Sequence, residues 1–225
     1  MADAHPFTDR DEAGRALAPI VAAHLDRVAH QGRPLVLALP RGGVPVGYQV
    51  ARAIDADLDI IVARKIGVPG QPEVGLGAVT EDGPPILDRA RLRHLGLDER
   101  QIEPLVQRER AEVRRRLARY RGARPHPNLT DRTVVIVDDG LATGVTARAA
   151  LATARAHRPA HLVYAAPICA AQSAAGLESE ADAVLCAQTP DDFGAVSRWY
   201  HDFTQLSDTD VERLLAKAWT TNAVC

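Results

Sequence analysis

Two adjacent acids, Asp138 and Asp139, directly follow four aliphatic residues, Val134-Val135-Ile136-Val137, and directly precede Gly140-Leu141-Ala142-Thr143-Gly144-Val145-Thr146. The aliphatic run reads as a strand covered on both faces. It delivers both carboxyls to its C-terminal end, where open α/β sheets bind ligands. The segment with Gly140 and Gly144 then opens into a helix. Small residues let backbone N–H groups approach a ligand closely, and a helix N-terminus favours an anion. Thr143 and Thr146 add hydroxyl donors. Carboxylates beside a phosphate would repel it unless they face something else. Sugar hydroxyls and a divalent cation are the natural partners.

Other residues carry chemistry by type. Pro40-Arg41-Gly42-Gly43 ends an earlier apolar run, and its glycines suit a backbone that exposes N–H groups. Arg64-Lys65 ends another; of the 27 basic residues only Lys65 and Lys217 are lysine. Aromatics make up 4% of the chain, yet Phe193, Trp199, Tyr200 and Phe203 lie within eleven residues. They would stack on a flat ligand or seal a sheet edge. His201 and Asp202 sit among them and could move an acceptor proton. Glu73 falls in a Gly/Pro-rich stretch and is a further candidate contact to acceptor or metal, or a solvated loop acid.

The elements that must position these groups alternate. Thr8-Asp9-Arg10-Asp11 reads as a cap for a helix carrying Leu17, Val21, Leu25 and Val28, with Pro19 inside it. Buried strands are expected at 35–39, 58–63, 133–137, 162–166 and 183–187. Helices are expected at 46–54, 98–121, 145–156 and from the Ser207-Asp208-Thr209-Asp210 cap to 218. Residues 66–76, holding Gly67, Pro69, Gly70, Pro72 and Gly75, read as a mobile loop; 77–80 and 85–87 flank Glu81-Asp82-Gly83 as a hairpin. The arginines at 108, 110, 114, 115, 116, 119 and 121 give helix 98–121 a solvated face, a subunit contact or an anion-binding edge. Strand–helix alternation predicts an α/β fold with a central parallel sheet. It forms one domain over 1–225, with a helical insert at 84–130 and a C-terminal hood and capping helix at 188–225.

Composition sets bounds. The 225 residues are 46% apolar and 25% charged with net charge −2, which excludes disorder and argues against nucleic acid as a partner. No apolar run approaches a membrane span, and the N-terminal residues show no signal pattern. Cys169, Cys186 and Cys225 form no close pair and read as reduced thiols in a cytoplasmic protein.

The stretch 134–146 resembles, over thirteen consecutive positions, the 5-phosphoribosyl-1-pyrophosphate (PRPP) signature of type I phosphoribosyltransferases. No Gly-Lys-Ser/Thr P-loop or dinucleotide-binding glycine pattern competes with it. The resemblance implies the type I phosphoribosyltransferase fold and Mg²⁺-dependent transfer of 5-phosphoribosyl from PRPP to a small nitrogenous acceptor. It implies that Asp138 and Asp139 bind the ribose hydroxyls, with metal held indirectly through them. It places the 5-phosphate on Ala142, Thr143, Gly144, Val145 and Thr146, and pyrophosphate on Arg41, Gly42, Gly43, Arg64 and Lys65, the first loop often carrying a strained peptide. Phe193, Trp199 and Tyr200 are acceptor candidates. A homodimer is expected on the same ground. Ala142 stands where 6-oxopurine enzymes carry an acid, which counts against those acceptors. Pro40 to Pro45, Arg64 to Gly70 and Trp199 to Gln205 match a group of bacterial phosphoribosyltransferases over residues 8–217. The alternative is a PRPP-binding regulator without turnover.

Overall fold

The computed structural model describes residues 6–28, 32–68, 71–81 and 83–222, with backbone alone at 71–74, 221 and 222. In chain order the elements are α1 (Arg10–Leu25), β1 (Leu35–Ala38), α2 (Gly43–Ala53), β2 (Asp57–Ile60), β3 (Arg64–Val68), β4 (Gln71–Val79), β5 (Ile86–Leu87), α3 (Arg89–His94) and α4 (Glu99–Arg121). After them come β6 (Thr133–Val137), α5 (Val145–Ala156), β7 (His161–Ile168), α6 (Ala171–Ala175), β8 (Ala183–Gln188) and α7 (Asp208–Asn222). A 3-10 turn covers Val196–Trp199.

Five strands form one parallel sheet in the order β2-β1-β6-β7-β8. The fold is therefore α/β, as alternation predicted. Val36, Ala38, Val135, Val137, Val163 and Ala165 join the core beneath α1, α2 and α7. Leu37, Val134, Ile136, Leu162 and Tyr164 pack on the opposite face with Ala147, Ala150, Leu151 and Ala154 of α5. Both faces are covered, so the strands need apolar residues throughout rather than alternation. Among the described residues no helix is long and apolar enough to cross a membrane.

Three expectations change. The described residues of 66–76 are strand and not loop: β3 and β4 pair antiparallel, Arg64 opposite Val79 and Ile66 opposite Gly77, and β5 extends them into a second sheet. Pro69, Gly70 and Asp82 lie outside the described residues, as does the side chain of Glu73. Glycine at 77, beside that stretch, is a steric requirement of the pairing, because a Cβ there would collide with the Ile86 carbonyl. Arg64-Lys65 accordingly open β3 instead of closing β2. The cap of α1 is Asp9, one residue beyond Thr8, its Oδ1 accepting from Glu12 N at 2.8 Å. Finally, Cys169 and Cys186 are joined in a disulfide with Cα atoms 6.1 Å apart. Cys186 sits on β8 opposite Ala166 of β7, and Cys169 lies just past the end of β7. Strand register supplies a proximity that spacing along the chain hides. Cys225 lies outside the described residues.

Candidate active site

β6 carries the acids to the C-terminal edge of the sheet, and both are half-buried there. Both acids lie just past the last residue of β6, with their side chains near enough to act on each other. Asp139 faces α1 and α2: Arg10 Nε donates to its Oδ2 at 2.8 Å, with the two side chains 10% and 16% exposed. Gly42 presses on the same carboxylate, and a Cβ there would overlap it. Asp138 accepts from the Asp139 N–H at 2.9 Å. Burial, followed by the charge of Asp139, pushes the Asp138 carboxyl well above the usual carboxylate range. The fully buried Tyr164 hydroxyl on β7 has no hydrogen-bond partner among the described residues; burial and then the charges of Asp138 and Asp139 raise it.

Two helix N-termini flank this pair, and neither has a side-chain cap. α2 starts at Gly43, where a Cβ would meet the Val137 carbonyl at 2.6 Å, so glycine lets the loop lie on the end of β6. The preceding Pro40–Arg41 peptide is cis. α5 follows Gly144 at φ +74°, a left-handed conformation that glycine adopts without cost. Leu141 is fixed by bonds to the end of β7, its N–H to the Ile168 carbonyl and its carbonyl from the Ala170 N–H, both at 2.8 Å. The Ser173 hydroxyl donates to the Ala142 carbonyl. The exposed Ala142 and Thr143 and the uncapped first turn of α5 therefore form a rigid concave edge. Such an edge suits a dianion.

The sequence-predicted basic residues separate. Lys65 lines a cavity of about 580 Å³ with Thr143 and Val145 of the α5 edge, joined by Arg91 and Arg148. Arg64 points the other way, to Glu109 of α4 at 2.8 Å. Burial works to raise Glu109, but hydrogen bonds from Arg108 and Arg64 prevail and hold it below the usual range. Arg41 lies 3.8 Å from Asp208 at the start of α7. The aromatic cluster is mostly sealed: Tyr200 is buried, its hydroxyl donating to the Asp139 carbonyl at 2.6 Å, and burial raises that hydroxyl above the ordinary tyrosine range. Trp199 donates to the Phe193 carbonyl at 2.9 Å. Of the three predicted acceptor rings, Phe193 lines a second cavity, about 730 Å³, with Ala142, Thr143, Gln172 and Ser173. His201 is exposed, and the Asp202 carboxylate is taken by Thr204. Sequence reasoning missed Arg10, Arg91 and Arg148. Arg10 reads as part of a helix cap, Arg148 falls just past the thirteen-residue signature, and the acidic partner of Arg10 is 129 residues away, so none is marked by its neighbours in sequence as a site residue.

A family model described as the phosphoribosyl transferase domain matches residues 9–204, most of the chain and all of this site. The chain belongs to the phosphoribosyl transferase domain family. Two Mycobacterium tuberculosis proteins, from strains CDC 1551 and H37Rv, named only as candidate phosphoribosyl transferases, are 43% identical over 212 residues. That match covers 94% of this chain and 47% of theirs, so the chain spans about half the length of these curated relatives. The crystal structure of TT1426 from Thermus thermophilus superposes with a TM-score of 0.79 at 39% identity, over 94% of this chain and 98% of that one. A Neisseria gonorrhoeae protein crystallised with ppGpp has a TM-score of 0.54 at 11% identity, covering 96% and 98%; it shares the fold. The phosphoribosyl transferase domain here thus spans both the sheet and the residues that close over its C-terminal edge.

Proposed function

We propose that this chain binds PRPP and transfers its 5-phosphoribosyl group to a nitrogenous acceptor, base-like or a small aromatic, releasing pyrophosphate. The observation that carries this reading is the stretch 134–146, folded as a buried strand, an adjacent acid pair and an uncapped helix start, pressed against Gly42 and Gly43. The 5-phosphate accepts hydrogen bonds from the edge formed by Ala142, Thr143, Gly144, Val145 and Thr146. The ribose hydroxyls donate to Asp138 and Asp139. Pyrophosphate lies toward Arg41, Gly42 and Gly43 with Lys65, while Arg64 serves α4 instead. As the anomeric bond breaks, positive charge grows on the ribose ring, and preorganised carboxylates stabilise it at no cost in reorganisation. The acceptor takes the 730 Å³ cavity, where Phe193 offers an apolar wall and Gln172 and Ser173 offer polar groups. Residues 188–225 act as its hood, and 84–130 as an insert bracing the β3–β5 sheet.

Among the described residues no cluster of three metal-ligating side chains exists. Two acids at one strand end nonetheless suit Mg²⁺, which binds through one or two carboxylates and fills its shell with substrate oxygens and water. Asp138 and Asp139 would hold it through the ribose hydroxyls, and when bound it neutralises the departing pyrophosphate.

A screen for pyrophosphate release from Mg²⁺-PRPP over bases, amines and small aromatic acids, run beside calorimetry of PRPP binding, tests the reading. Binding with release for one acceptor is expected. Binding without release from any acceptor would make the chain a PRPP-responsive regulator, and absence of binding would remove both.

A further inference from the structure

We propose that Arg10 is a positioning residue for this reaction, fixing Asp139 and tying the hood to it. The inference rests on the PRPP reading above and adds a residue that does not itself reach the ligand. Arg10 opens α1, yet its side chain is turned inward and 10% exposed. Its guanidinium is used on three sides. Nε donates to Asp139 Oδ2 at 2.8 Å, Nη1 donates to the Thr204 carbonyl at 3.1 Å, and its central carbon lies 4.0 Å from the Phe203 ring centroid. Tyr200 approaches the same acid from the hood, through the Asp139 carbonyl.

The segment just before Arg10 is bonded to the hood as well. Phe7 N donates to the Trp199 carbonyl at 2.8 Å, His201 N to the Phe7 carbonyl at 2.8 Å and Asp202 N to the Thr8 carbonyl at 2.9 Å. Residues 7–8 and 199–202 thus form one stitched strip, and Arg10 begins the helix that follows it. Lysine cannot replace this geometry, because its single ammonium offers no planar fork to divide between a carboxylate and a carbonyl. Burying an ion pair brings little net stability, so a stabilising role alone is a poor account of one placed against the acid pair.

The test is calorimetry of Mg²⁺-PRPP binding to the wild-type chain, Arg10→Met, Arg10→Lys, Asp139→Asn and the Arg10→Met/Asp139→Asn double variant, with thermal unfolding of each. Arg10→Met is expected to weaken PRPP about tenfold or more. Arg10→Lys should fall between it and wild type. In the Asp139→Asn background Arg10→Met should bring no further loss, since the residue acts through that carboxylate. A lowered melting temperature with unchanged affinity, or losses that multiply in the double variant, would overturn the proposal. Should Arg10→Met fail to fold, Arg10→Lys decides: wild-type affinity in that variant overturns it. If the wild-type chain binds no PRPP, the reading beneath fails and the role of Arg10 falls with it; wild-type binding with indifferent Arg10 variants sinks the positioning role alone.

Discussion

At the scale of single residues, the acid pair divides its labour. Among the described residues Asp139 has a cation in contact and Asp138 has none, so Asp138 carries the cost of burial. Because folding raises its carboxyl, the protonated form is the one the fold favours. That stabilising contribution is complete below the ordinary carboxylate range and is lost as pH climbs toward the raised folded value. Asp138→Asn should therefore melt higher than wild type at pH 7–8 and nearly level with it at pH 4, while binding PRPP more weakly. A wild-type chain that melts above Asp138→Asn at neutral pH would contradict this. If ribose hydroxyls meet the ionised carboxylate, any proton that the raised Asp138 carboxyl holds in the free chain is released as PRPP binds. Calorimetry in buffers of different ionisation enthalpy reads that directly. At Gly42 a methyl group would occupy the space of the Asp139 carboxylate. Gly42→Ala is expected to lose PRPP affinity by tenfold or more (about 1.4 kcal/mol) and to lower the melting temperature, both measurable on one preparation.

At the scale of elements, contiguity decided what the sequence disclosed. The strand–acid–helix unit of β6 and α5 was legible because every part lies within thirteen residues. The β3–β4 hairpin was not, since glycine density is the usual mark of a loop. Here Gly77 is required by the Ile86 carbonyl across the ladder, and Gly75 lies against the Lys65 side chain. The same pairing explains the parting of Arg64 and Lys65: neighbours on a strand face opposite ways. Arg64 became an anchor for the buried Glu109, and Lys65 a wall of the cavity beside α5. Lys65→Ala should weaken PRPP binding with little change in melting temperature. Arg64→Ala should do the reverse, lowering stability by about 1–3 kcal/mol as Glu109 loses a partner. Equal effects of the two on affinity would restore Arg64 to the ligand.

At the scale of the whole molecule, the arginine-rich face of α4 proves to be largely spoken for. Arg115 and Arg116 pair with Glu112, and Arg119 with Asp208 and Glu212 of α7. Hydrogen bonds from Arg115 and Arg116 outweigh burial and hold Glu112 at about 2. Tyr120, pushed up to about 12 by burial and its bond to Asp208, locks the same junction. Of that run Arg119 braces α4 against α7, while Arg115 and Arg116 pair within α4 on its solvated face. The chain's early residues are similarly structural at long range. Phe7 is 7% exposed and packs on Tyr200, 5.8 Å between ring centroids. Phe7→Ala should cost about 3 kcal/mol, a fall of ~6–12 °C in a domain of this size, which scanning calorimetry would register. It should also blunt PRPP affinity, because the strip that Phe7 anchors carries Tyr200.

Pruning at the amino end offers the sharpest illustration of that reach. Shortening the protein by ten residues, a routine choice when seeking better-behaved material, would spare every group expected to meet the sugar. It would nevertheless strip away the counter-charge of Asp139 and unpick the seam of its cover. Such material should fold yet grip its substrate poorly, and a tag fused there would crowd the same seam.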